Sequence, residues 1–221
     1  RIYGQKRGKI HGQNLHRVTM KDAIGYNQRV FKQKIENDTL DTAVSLVVDF
    51  SGSMGGSKSY NAIKSSMLLY DAISKALNVP LEITGFSDTG RASVMLLFKS
   101  FNGKTSDEVL LDRMTDGLRY MSGNSDGEAI AWCYDRLERR REKKKLMIVL
   151  SDGSPASSRS GDIYQYTKDV ISGIEKAHRA DIIGIGIEDD NVERLYTNSQ
   201  VLNNSSELEE TILKIIESKM L

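Results

Sequence analysis

Residues 41–54 read DTAVSLVVDFSGSM, and this stretch decides the fold. Ala43–Phe50 is nearly continuous in apolar, largely β-branched residues. A run that short and that unbroken is the pattern of a strand buried on both faces. Four further runs of strand length follow: LEITGF at 81–86, VMLLF at 94–98, LMIVL at 146–150 and IIGIGI at 182–187. Helical patterns separate them. Tyr60, Ile63, Met67, Tyr70, Ile73 and Leu77 recur at steps of three and four, which marks one helix face. Residues 105–121 read as partly helical, Ile130, Cys133 and Leu137 line another helix, and 162–178 carries a fourth. Short helices are expected near 190–197 and 206–219. Strand–helix alternation with apolar strands predicts an α/β fold: a doubly wound, mostly parallel sheet with helices on both faces. Such sheets bind ligands beyond the carboxyl ends of strands where the winding reverses. The loops after Phe50 and Leu150 are therefore the place for chemistry.

The composition agrees. The chain has 221 residues, 39% hydrophobic and 28% charged, with two prolines, which describes a globular chain able to bury a sizeable core. No apolar run approaches the roughly 20 residues of a membrane span, and no basic-then-apolar leader opens the sequence. The start on Arg1 reads as a piece of a longer protein. The single cysteine, Cys133, excludes an internal disulfide framework and a Cys-rich zinc module, and points to a reducing, cytoplasmic setting. The net charge of +1 hides a partition. Residues 1–34 carry nine Lys or Arg and one acid, Asp22, for a local charge of +8; the rest of the chain holds −7. A basic arm over residues 1–40 thus precedes the body at 41–221. With few aromatics to stack on bases, the arm argues against nucleic acid as its partner.

The first strand ends in DFSGS and delivers Asp49, Ser51 and Ser53. The fourth apolar run ends in SDG and delivers Asp152. Between them SGNSDGEAI, residues 122–130, enters a helix and offers Asn124, Ser125 and Asp126. Brought together, these are all oxygen donors, which suit a hard cation such as Mg²⁺, or Mn²⁺ or another divalent ion. Two Asp charges just neutralise it. Neutral hydroxyls leave it able to accept a further carboxylate, from a partner protein. Metal-bridged recognition is the expected chemistry.

Other readings stand beside this one. Asp49, Ser51 and Ser53 can cap the helix starting near residue 57, and Ser125 with Glu128 forms the capping-box pattern S-x-x-E. GSMGGSKS, residues 52–59, falls one glycine short of a phosphate-binding loop, because Ser57 precedes Lys58; a nucleotide hydrolase using this loop is the alternative function, as is nucleic-acid binding through the arm. Asp49 would repel phosphates there unless metal intervened. An aspartyl-nucleophile phosphatase needs a second Asp where Ser51 stands. Gly184 and Gly186 lack the third glycine of a dinucleotide motif and instead permit close packing. His11, His16 and His178 lack partners at zinc-ligand spacing. Cys133 and Trp132 read as core, and RRREKKK at 139–145 as cations at a helix C-terminus.

The DxSxS pattern resembles the metal-ion-dependent adhesion site of von Willebrand factor A domains, whose fold is of this doubly wound, Rossmann-like kind. That family adds a Thr from a second loop and an Asp from a third. Asp49, Ser51, Ser53 and Asp152 match, whereas Asn124 stands at the Thr position with Asp126 as the neighbouring substitute. RGKIHGQNLHRV, DTAVSLVVDFSGSM, NSDGEAIAW, KLMIVLSDGSP and IIGIGIEDD, in that order, are similar to blocks of the T subunit of aerobic cobaltochelatase. In that subfamily Asn takes the Thr position, and short relatives occur in bacteriophages. The resemblance implies a non-catalytic subunit with Asp49, Ser51, Ser53, Asn124 and Asp152 around the metal. It also implies an AAA+ ATPase subunit and a large chelatase subunit as partners, in cobalt insertion for cobalamin biosynthesis.

Overall fold

The computed structural model describes residues 41–155, 161–202 and 211 in full, and the backbone of five short segments among the first forty. The chain divides into two compact units, residues 1–39 and 40–221. The first contains β1 (Ile2–Gln5), β2 (Lys9–Ile10), β3 (Lys21–Asp22), β4 (Gly25–Tyr26) and β5 (Phe31–Gln33). β5 lies between β1 and β2 in an antiparallel sheet, and β3 pairs with β4. The sequence reading named no strands here, since pieces of two to four residues carry no measurable period. His11 and His16 lie outside the described residues.

The second unit is built on one six-stranded sheet. Its strands are β6 (Thr42–Asp49), β7 (Leu81–Asp88), β8 (Ser93–Lys99), β9 (Lys144–Ser151), β10 (Asp181–Ile187) and β11 (Ser199–Leu202). They stand in the order β11-β10-β9-β6-β7-β8, all parallel except β8, which runs antiparallel to β7 at one edge. The main helices are α1 (Ser57–Leu69), α2 (Asp107–Gly117), α3 (Asp126–Glu138), α4 (Ile163–Ala177) and the short α5 (Val192–Leu195). The doubly wound α/β architecture is the one the strand–helix alternation predicts. β11 is an addition, because SQVL is too short and too polar to read as a strand. The helix expected near 206–219 lies outside the described residues, Thr211 apart.

Alternation along the strands sorts the core into two layers. Val44, Leu46 and Val48 of β6, with Leu146, Ile148 and Leu150 of β9, face the layer formed with α1 and α2. Ala43 and Val47, with Met147 and Val149, face α3, α4 and α5. This two-sided burial explains why both strands read as unbroken apolar runs. α1 continues into a π-helical segment, Tyr70–Ala76. Ile63, Tyr70 and Ile73 are buried as the spacing predicts, but Tyr60 is 69% exposed, at the solvent end of the first turn. Cys133 is core, and burial pushes its thiol up to about 12. Trp132 is not core: it is 37% exposed, and the Arg136 guanidinium lies over its ring. Arg136 in turn makes two bonds to Glu82, which is fully buried on β7.

At the amino ends of β9 and β10 lies a cleft of about 390 Å³ lined by Lys143, Lys144, Lys145, His178 and Arg179 together with Glu175 and Asp181. The C-termini of α3 and α4 both fall at this pole, so the cations offset two negative helix ends. The basic run begins where α3 stops and enters β9; Arg139 pairs with Asp135 and Arg140 with Glu142.

The glycines of β10 permit close approach, as expected: the Tyr196 ring lies against Gly184, and the turn at Asp189 together with Val192 of α5 lies against Gly186. A Cβ on Gly184 would lie 2.3 Å from the Tyr196 ring, and one on Gly186 would lie 2.1 Å from the Asp189 carbonyl oxygen. Gly186→Ala is therefore expected to cost about 1–3 kcal/mol in urea unfolding. Gly173→Ala, on the open face of α4 with nothing within 4 Å, is expected to stabilise by about 1 kcal/mol or slightly less. Equal effects at the two positions would contradict the packing described.

Candidate metal centre

The winding reverses between β6 and β9: β7 follows β6 on one side, and β9 lies on the other. Val48 stands opposite Leu150 in the parallel register. Asp49 and the Ser151–Asp152 pair therefore leave the sheet side by side. A third segment completes the group. Ser122 bridges to Ser51 and Gly123 to Asp88; Gly52 N–H donates to the Ser122 carbonyl at 2.6 Å, and Asp88 and Gly123 exchange backbone bonds of 2.9 and 2.7 Å. Residues 122–124 are thus pinned across the ends of β6 and β7, just before α3.

Asp49 is 2% exposed. Its Oδ1 accepts from Ser51 N–H at 2.7 Å, and its Oδ2 accepts from Ser151 Oγ at 2.9 Å and Asn124 Nδ2 at 3.3 Å. Ser51 Oγ lies 3.0 Å from Ser53 Oγ. Ser51 is buried and Ser53 exposed, so the group opens to solvent at Ser53. Asp152, also buried, accepts from Ser154 N–H through Oδ1. Its Oδ2 faces Lys58 Nζ at 3.8 Å. Asp49 and Asp152 are close enough to repel: burial first, then the Asp152 charge, push Asp49 up to about 7.

The structure thus joins Asp49, Ser51, Ser53 and Asn124 by direct hydrogen bonds. It links Asp152 through Ser154, whose carbonyl accepts from Asn124 Nδ2 at 3.3 Å. Asn124 Oδ1 accepts from Asp126 N–H at 3.1 Å. In this orientation the amide nitrogen faces Asp49, so Asn124 steadies that carboxylate rather than presenting its oxygen. Asp126 lies behind, fully buried. Its Oδ1 is 3.2 Å from Ser151 Oγ, and its Oδ2 has no hydrogen-bond partner among the described residues. Burial, then the charges of Asp49 and Asp152, hold its carboxyl well above the usual range. One hydroxyl proton on Ser151 cannot serve both carboxylates. The network closes when Asp126 carries a proton and donates to Ser151, which donates to Asp49 and accepts from Gly153 N–H.

Two capping expectations fail. Gly56, not Asp49, Ser51 or Ser53, precedes α1, and no side chain caps it. Ser125 sits at the N-cap position of α3, but its hydroxyl donates to the Ser87 carbonyl at 3.3 Å and does not cap the helix. Backbone already bonds across this edge, so the hydroxyl finds the β7 carbonyl nearer than its own helix. The sequence reading missed Ser151, whose place before Asp152 in the SDG turn was its one signal, and Tyr196. The Tyr196 ring lies on Gly184; burial first, then Asp126 and Asp49, push its hydroxyl well above its ordinary value.

The donor chemistry fits a hard divalent cation: oxygen atoms only, two to three carboxylates in a buried group, and hydroxyls on the solvent side. Among the described residues, no three His, Cys, Asp or Glu side chains gather in a group that could hold a metal ion; the group here combines carboxylates with the Ser51 and Ser53 hydroxyls.

A family model described as the cobalamin biosynthesis protein CobT VWA domain matches residues 30–119 and 113–220. A curated relative, the uncharacterized protein YojO of Bacillus subtilis (strain 168), is 30% identical over 158 residues, covering 68% of this chain and 24% of YojO. The chain thus spans about a quarter of that relative. Among solved structures, the PilB minor pilin from Streptococcus sanguinis superposes with a TM-score of 0.62 at 14% identity, over 86% of this chain and 63% of the pilin. The vWF domain of the type V pili tip protein Mfa5 from Porphyromonas gingivalis gives 0.61 at 10% identity, over 83% and 97%. A von Willebrand factor type A protein from Catenulispora acidiphila gives 0.55 at 14%, over 81% and 42%. At these identities the likeness shows the fold alone.

The like-charge crowding is testable without any metal. At pH 8 in chelator, Asp126→Asn is expected to raise the thermal midpoint, with a gain on the order of 1 kcal/mol. The amide keeps a bond to Ser151 and removes the cost of holding a buried carboxyl protonated at a pH where the unfolded chain would release that proton. A lowered midpoint in calorimetry would contradict this account.

Proposed function

Because this chain belongs to the family of the cobalamin biosynthesis protein CobT VWA domain, we propose that it is a metal-dependent protein-interaction module of a chelatase-type ATPase assembly. The supporting observation is the gathering of Asp49, Ser51, Ser53, Asn124 and Asp152 from three chain segments at the switch point of the sheet. In this reading Asp49, Asp152 and the Ser51 and Ser53 hydroxyls hold a Mg²⁺ or a similar ion. Bound there, the ion supplies a Lewis-acidic point for an acidic side chain of a partner.

The chain's own residues do the rest. Asn124 and Ser151 fix the Asp49 carboxylate, so little ordering remains when the ion arrives. Asp126 stands behind them as a protonated donor to Ser151, and the exposed Ser53 marks the side from which a partner reaches the site. The partners that family membership suggests are an AAA+ ATPase subunit and a large chelatase subunit. In this reading cobalt is their cargo, and insertion into the corrin falls to them. The loop at residues 52–59 favours no phosphate reading: Lys58 faces two carboxylates, and the Gly52 N–H is taken by Ser122.

The test is capture from a lysate on the immobilised chain, in Mg²⁺ and in chelator, with mass identification of what elutes. An AAA+ ATPase subunit is expected in the Mg²⁺ eluate only, and Asp49→Ala is expected to abolish its capture. Asn124→Ala is expected to weaken capture several-fold in a chain that still folds, with a stability cost of about 1–3 kcal/mol for the buried bonds it removes. Equal recovery with and without Mg²⁺ would overturn the proposal.

A further inference from the structure

Lys58 stands in the first turn of α1, and its ammonium is shared between two carboxylates. Nζ lies 3.8 Å from Asp152 Oδ2 and 3.6 Å from Asp189 Oδ2. The two acids come from different places: Asp152 follows β9, and Asp189 follows β10. Each has its other oxygen engaged. Asp152 Oδ1 accepts from Ser154 N–H at 3.2 Å, and Asp189 Oδ1 accepts from Asn191 N–H at 3.1 Å. The neighbouring Glu188 offers Lys58 nothing comparable, since Ser57 Oγ and Asn61 Nδ2 already bond its oxygens at 3.1 and 2.7 Å. Both ammonium distances exceed hydrogen-bond length, so the contact is electrostatic and not locked. The Lys58 side chain is 22% exposed, against 3% for Asp152.

We propose that Lys58 is a displaceable internal counter-ion of the metal centre. It neutralises Asp152 when no divalent cation is held and withdraws to Asp189 when one is, and so sets the affinity for metal. The inference rests on the metal-site reading above and deepens it. Asp152 would be a ligand, and a divalent ion on its carboxylate repels an ammonium in contact with the same group. Asp189 is the place of retreat, because Lys58 is already within 3.6 Å of it and a small swing of a flexible four-carbon stem suffices. The arrangement means that buried carboxylates are never left without a nearby cation, which would otherwise be costly. It also weakens metal binding relative to a site without the lysine.

Calorimetric titration with Mg²⁺, repeated with Mn²⁺, tests this on the full chain and a small set of variants. Wild type is expected to bind one ion, and Asp49→Ala none. Lys58→Met is expected to tighten the dissociation constant by about five- to tenfold, and Lys58→Arg to return it toward the wild-type value. Asp189→Asn is expected to weaken binding by confining the ammonium to Asp152. That effect should largely vanish in the Lys58→Met background, because the two substitutions act through one contact. Thermal melts complete the test: Lys58→Met should lower the midpoint in chelator more than at saturating Mg²⁺. A Lys58→Met dissociation constant within twofold of wild type, alongside Asp49-dependent binding, would overturn the counter-ion role and leave the metal site standing. No Asp49-dependent binding in the wild type would overturn both.

Discussion

Everything at the candidate site follows from two parallel strands lying side by side in a fixed register. Val48 of β6 faces Leu150 of β9, so the next residues, Asp49 and Ser151, emerge at the same height, with Asp152 one step on. No loop design is needed to bring those groups together; the backbone ladder does it. The register is held in turn by burial on both faces, because a one-residue slip would exchange the two core layers. The polar group at the sheet edge is thus positioned by the apolar residues beneath it.

Concentrating carboxylates in a buried place is unfavourable, and the surrounding residues show how the strain is met. Asp49 receives Ser51 N–H, Ser151 and Asn124; Asp126 shares Ser151; and Lys58 stands against Asp152. These contacts still leave Asp49 pushed up to about 7 and Asp126 well above the usual range. The protein thus gathers carboxyls at one spot where burial disfavours their charged forms, and a nearby cation would favour them. Lys58 links this charge to the loop after β10, which carries Asp189 and leads into α5.

The middle segment shows how much depends on tertiary context. Residues 122–124 form no strand of their own, yet single bridges to Ser51 and Asp88 fix them over the edge of the sheet. Asn124 thereby reaches Asp49 from 75 residues away in sequence. Ser125 loses its expected capping role to the same geometry, since the Ser87 carbonyl lies within its reach. Trp132 is similar: its helix is as predicted, but Arg136, drawn down to the buried Glu82, covers the ring at the surface.

The sequence by itself determined the layered α/β fold, because strands buried on both faces and amphipathic helices write their periods directly into the residue pattern. It also determined which loops would stand together, because DFSGS and SDG follow apolar parallel strands whose carboxyl ends lie at one edge. It did not determine β11, the exposure of Tyr60, the role of Ser151, or the partners of Lys58. Each of those depends on what a side chain meets across the fold. A residue pattern records a neighbour three or four positions along a helix, but not a carboxylate on another strand that becomes a neighbour only when the sheet closes.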